Sequence, residues 1–69
     1  MKISARNRIP ATVTGITEGP ATAIVELDCN GTRLVASITT EAANELQLAE
    51  GRDVFAIVKA SDVMIGIAD

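Results

Sequence analysis

Apolar residues recur at every second position through most of this chain, the period of strands that bury one face. The first such run is Arg8 to Ile16, with Ala11 and Val13 on one face and Thr12 and Thr14 on the other. Glu18-Gly19-Pro20 ends it as a turn. From Ala21 to Cys29, Ala21, Ala23, Val25, Leu27 and Cys29 alternate with Thr22, Ile24, Glu26 and Asp28. Asn30-Gly31 comes next, the dipeptide that tolerates the positive φ angles of a type I′ hairpin turn. The return strand is Thr32 to Ile38, with Leu34, Ala36 and Ile38 inward.

After Ile38 the period changes. Thr39 or Thr40 caps a short helix over Glu41–Leu46, and Glu41 sits in its first turn, where a carboxylate suits the free N–H groups. Ala42, Ala43 and Leu46 form its apolar side, and Glu50-Gly51 stops the unit. Asp53 to Ala60 reads as a fourth strand. One face is Val54, Ala56 and Val58, the other Phe55, Ile57 and Lys59. Both are apolar enough to predict cover on two sides, by the core and by a second subunit. Beyond Ser61-Asp62, Val63 to Ile67 is expected to form a last strand, with Gly66 allowing a bulge. Three strands, a short helix and two strands predict an all-β fold: a five-stranded, OB-like Greek-key barrel with the helix between strands 3 and 4.

Size sharpens the expectation of self-association. A chain of 69 residues has little interior, yet 48% of it is hydrophobic and Phe55 is its one aromatic residue. Mean hydropathy is +0.31. Apolar mass of this kind, spread over nearly every segment, is expected to be buried partly between subunits. The single Cys29 cannot form an internal disulfide and fits a reducing, cytoplasmic setting. Polar and charged residues rather than an apolar run follow Lys2, so no export leader is expected. The longest strongly apolar run, Val54–Val58, falls far short of the roughly 20 residues a membrane helix needs.

Charge is distributed unevenly. Six cations and nine acids give a net −3. Lys2, Arg6 and Arg8 all precede Glu18, the first acid, so residues 1–17 sum to +3 and the remainder, three cations against nine acids, to −6. An acidic protein that gathers cations at one end is suited to an anion there. Ser4 and Asn7 add hydrogen-bond donors to the same stretch, which favours a compact oxyanion over a long polyanion. Nucleic acid is a poor fit, because the chain is acidic and offers one aromatic for stacking. No enzymatic role is expected: the chain has no His, no cysteine pair and no phosphate-cradling glycine loop. The same deficits leave no set of soft ligands for a metal cation, and no cofactor is implied.

Four segments carry a family resemblance. They are Lys2-Ile3-Ser4-Ala5-Arg6-Asn7, Val35-Ala36-Ser37-Ile38-Thr39, Glu50-Gly51 and Val58-Lys59-Ala60-Ser61-Asp62-Val63. In order and spacing the chain resembles the molbindins, the small Mop-type molybdate-binding proteins, over essentially its full length. The resemblance implies that residues 1–69 are a single Mop-type, OB-like domain that binds molybdate or tungstate at subunit interfaces. It implies a homo-oligomer, a hexamer built as a trimer of dimers, and a role in intracellular molybdenum storage and homeostasis. It also implies the ligand set: Ser4, the backbone at Ala5, and Arg6 from one motif; Lys59 with Ala60 and Ser61 from the other; and the hydroxyl of Thr39. A serine that contributes in some relatives falls at Ala42 here, so that hydrogen bond would be missing.

The chemistry of these residues agrees with that implication. Arg6 and Lys59 together supply +2 against a dianion, and Ser4, Ser61 and Thr39 supply donors for its oxygens. Taken singly, each has an ordinary explanation as a surface cation or turn residue. A different function class shares the predicted assembly: an OB-type structural oligomerisation module with no anion ligand.

Overall fold

The computed structural model describes residues 1–69. Its strands are β1 (Asn7–Glu18), β2 (Thr22–Cys29), β3 (Thr32–Thr39) and β4 (Asp53–Val58), with a helix α1 (Thr40–Glu45) between β3 and β4. They form one sheet in the order β3-β2-β1-β4, with every neighbouring pair antiparallel. A 3-10 turn, Ala60–Asp62, follows β4.

The hairpin forms as the dipeptide predicts. Asn30 and Gly31 have φ of 52° and 94°, both left-handed, and Asp28 Oδ1 accepts the Gly31 N–H at 2.9 Å. Asn tolerates that conformation and Gly has no Cβ to oppose it, so β2 and β3 pair in register from Cys29↔Thr32 to Thr22↔Thr39.

β1 is the longest strand because it serves two partners. Its first half pairs with β4, from Asn7↔Val58 to Thr12↔Asp53, and its second with β2, from Thr12↔Asp28 to Glu18↔Ala23. At the changeover the register slips between Val13 and Gly15. This bulge changes the phase of the strand: Ala11 and Val13 face the core before it, and Ile16 packs there after it. Gly15 sits at the bulge close to Glu26, whose Oε2 would lie 3.0 Å from a Cβ there and would have to swing aside. Glu26 in turn pairs with Arg33 across β2 and β3.

Thr39 closes β3 and caps α1, accepting the Ala42 N–H at 3.0 Å. The helix therefore starts one residue earlier than the pattern suggests, at Thr40. That residue ties the β1–β2 turn to the helix by donating its hydroxyl to Gly19 O at 2.7 Å and its N–H to Ala21 O at 2.9 Å. Ala43 is the one helix residue fully buried.

The core is Ala11, Val13, Val25, Leu27 and Cys29, flanked by half-buried Ile16, Leu34, Ala36, Ile38, Leu48, Val54 and Ala56. Phe55 and Ile57, on the other face of β4, are exposed. The expected fifth strand is absent from the sheet of the single chain: Val63–Asp69 has no ladder partner and is exposed throughout. β4 ends at Val58 and the 3-10 turn leads the chain away, so the alternating apolar residues of the tail meet no edge of their own sheet. The fold is all-β, a four-stranded antiparallel sheet with one short helix.

Candidate oxyanion site

The β1–β4 ladder ends at the pair Asn7↔Val58. Arg6 is the residue just before Asn7, and Lys59 the residue just after Val58. Extending the register by one pair would set these two cations opposite each other, on the same face of the sheet. Residues more than fifty positions apart in sequence thus reach one end of the molecule because two strands pair. Ser4 and Ala5 lie just upstream on one side, and Ala60 and Ser61 open the 3-10 turn on the other.

This end is rich in unused donors. Asp62 N–H bonds Lys59 O at 2.9 Å and Val63 N–H bonds Ala60 O at 3.4 Å, which leaves the N–H groups of Ala60 and Ser61 outside the turn's own bonds. Those of Ala5 and Arg6 also take no part in the loop and cap bonds. Ser4, Arg6, Lys59 and Ser61 are exposed and Ala5 is half-buried. The one salt bridge in the chain is Arg33–Glu26, so Arg6, Arg8, Lys2 and Lys59 are all uncompensated by a carboxylate in contact. Lys2, Ala5, Arg6 and Arg8 line a surface depression of about 340 Å³. Lys2 and Arg8 are part of the basic segment in sequence but were not among the expected ligands; their place beside Arg6 was foreshadowed only by charge clustering. Four cations here against the single carboxylate of Asp62 in the turn give a formal sum of +3.

Thr39 is placed differently. It pairs with Thr22, next to the far end of β1, and so lies at the opposite end of that strand from Asn7. Within one chain Ser4, Ala5 and Arg6 precede, and Lys59, Ala60 and Ser61 follow, the same end of the β1–β4 ladder, with only Ala5 and Arg6 of these six lining the basic depression, and Thr39 lies at the other end. Its oxygen already accepts the helix-capping bond, but its hydroxyl proton is still available to donate.

A larger depression, about 530 Å³, lies where β1, β4 and the β2–β3 turn meet. Its ionisable groups are Asp28 and Asp53, the latter accepting the Thr12 hydroxyl at 3.3 Å. Two carboxylates repel an oxyanion, so size does not outweigh sign here.

The chain matches the TOBE domain over residues 3–65 and belongs to the TOBE-domain family. Within it the similarity is to whole Mop-type chains, the molbindins of the sequence resemblance. A probable molybdenum-pterin-binding protein of Haemophilus influenzae is 41% identical over 68 residues, 97% of this chain and 99% of that one. The structure of a molybdate-binding protein from Sporomusa ovata superposes with a TM-score of 0.93 at 42% identity, covering 97% of this chain and all of that one. The cytoplasmic molybdate-binding protein ModG, in a form with molybdate bound, matches with a TM-score of 0.83 at 48% identity over 87% of this chain and 43% of its own.

Proposed function

We propose that this chain binds molybdate or tungstate as an intact oxyanion where copies of the chain meet. It serves intracellular molybdenum storage and homeostasis by binding rather than by catalysis. The observation that carries this reading is the ladder pair Asn7↔Val58, the immediate neighbours of Arg6 and Lys59, in a stretch where the N–H groups of Ala5, Arg6, Ala60 and Ser61 make no loop or cap bond. A dianion taken out of water needs its charge matched and its oxygens satisfied. Two cations match the charge. Ser4, Ser61 and the N–H groups of Ala5, Ala60 and Ser61 supply donors, and the metal is held through its oxygens with no direct protein ligand. At roughly 1.5–3 kcal/mol per charge-assisted hydrogen bond, a few suffice for micromolar affinity, about −8 kcal/mol.

Because Thr39 lies at the opposite end of β1, it joins the site only as the partner subunit's Thr39. Two features support an interfacial site. The cations are exposed in the single chain, and so is much of its apolar surface. The assembly we propose is a homohexamer, a trimer of dimers, of single domains spanning residues 1–69, and its compartment is the cytoplasm. Each unit is an OB-like barrel completed by a fifth strand. The order β3-β2-β1-β4, with the fourth strand returning beside the first, supports a Greek-key path.

Equilibrium dialysis of the purified chain with molybdate, with assembly mass measured on the same sample, tests the reading. Saturable binding that tungstate displaces is expected. Assembly without binding would leave the structural oligomerisation module in its place.

A further inference from the structure

The depression of about 340 Å³ at the basic end overlaps the candidate oxyanion site without coinciding with it. Of the expected ligands only Ala5 and Arg6 line it, and its other charged walls are Lys2 and Arg8. No carboxylate lines it, and neither Lys2 nor Arg8 makes a salt bridge. Both are exposed. In sequence the two bracket the first ligand motif: Lys2 stands two residues before Ser4, and Arg8 two residues after Arg6. Two residues of chain span at most about 7 Å. Arg8 is also fixed in the ladder opposite Ile57, one pair beyond Asn7↔Val58, on the far side of that pair from the ligands. The depression is roomy as well. One water takes a share of about 30 Å³ in the liquid, so the space suits an anion that still carries its hydration shell and fits a bare tetrahedral one poorly.

We propose that Lys2 and Arg8 are entry cations of the oxyanion site: they draw the hydrated dianion into the depression and toward Arg6, and they do not grip it once it is bound. This rests on the anion reading of the proposed function and adds how the ligand arrives. The chain as a whole carries −3 and repels a dianion, so the attraction that brings one in has to be local. Lys2 and Arg8 supply it beside Arg6, with no acid in the lining to cancel them. Charges at the rim of a site act on the association rate and its salt dependence, whereas groups in contact with the ligand act on dissociation. The size of the effect follows from the Coulomb attraction between a dianion and two cations about 7 Å away in water, damped over the Debye length. It amounts to about fivefold in association rate at about 0.15 M salt. The same attraction gives about twentyfold at about 0.01 M, and less than about twofold at about 1 M.

Amide NMR line shapes across a molybdate titration of the full chain test this, since they give the dissociation rate and Kd, and from these the association rate. The double variant Lys2→Gln with Arg8→Gln should associate about fivefold more slowly than the parent at about 0.15 M salt, with the gap widening as salt is lowered, and should dissociate at the parent's rate. Its amide spectrum reports in the same experiment that the sheet is intact. The control is Arg33→Gln with Arg52→Gln, which removes the same two charges from residues that do not line the depression. Its association rate should stay within about twofold of the parent's, because distant charges are screened. Equal slowing by the two double variants would show that net charge alone steers the anion and would overturn the proposal. Faster dissociation of the first variant at an unchanged association rate would also overturn it, by making Lys2 and Arg8 ligands. A parent chain that binds no molybdate ends the anion reading and this inference with it. A parent that binds, with a first variant that associates equally fast, ends the entry role alone.

Discussion

Replacement of Arg6 by Ala separates binding from folding more cleanly than any other change. Arg6 is exposed, makes no salt bridge and precedes the first ladder pair, so its loss should leave the stability of the free chain within about 0.5 kcal/mol. The bound state is different. One charge-assisted hydrogen bond contributes roughly 1.5–3 kcal/mol, and a guanidinium gripping two oxygens makes two. The variant also leaves a dianion facing Lys59 as its only close cation among the proposed ligands. A loss of about 3 kcal/mol corresponds to roughly a hundredfold weaker binding at 1.4 kcal/mol per decade. The control is Arg52→Ala. Arg52 is also exposed and unpaired, but it precedes Asp53, at the other end of β4. It removes the same charge from the molecule without touching the site. Isothermal titration of molybdate into parent and variants, at two ionic strengths, reads both effects. Equal weakening by the two substitutions would show that net charge alone governs binding, and an unchanged Arg6→Ala would remove Arg6 from the site.

Other outcomes follow from the same geometry. A site made of donors should discriminate against hydrogen phosphate, whose proton would lack an acceptor, so phosphate should displace labelled molybdate far less well than tungstate does; equal displacement would refute a donor-only lining. Thr39→Ala should cost about 1 kcal/mol in urea unfolding, because the Ala42 N–H loses its capping acceptor, and Thr39→Ser should restore it. Val13, 1% exposed, is the largest side chain fully out of solvent, and Val13→Ala should cost about 2 kcal/mol by chemical denaturation. Glu26→Gln should cost under about 1 kcal/mol despite breaking the one salt bridge, because both partners are substantially solvated.

Local chemistry was enough to determine several features from the sequence. Asn30-Gly31 specified a turn with two positive φ angles, and Thr39-Thr40 specified a cap that Thr39 supplies, because each acts on backbone groups within three residues. Alternation gave the inward faces of β2 and β3, and the Lys2–Arg8 segment gave the basic end. The bulge was not read from the sequence: Gly15 stands inside the strand pattern, but the change of partner around it shows only in the slipped register between Val13 and Gly15. Nor was the tail. Val63–Ile67 has the pattern of a strand, but a strand exists only where an edge receives it, and the single chain does not bring its own edge to those residues. The candidate site divides on the same physical line. The ligand set came from the order of the motifs and not from single residues, each of which has an ordinary explanation as a surface cation or turn residue. That Arg6 and Lys59 flank the ladder's last pair, Asn7↔Val58, while Thr39 lies at the far end of β1, depends on register, a long-range property that tertiary pairing alone decides.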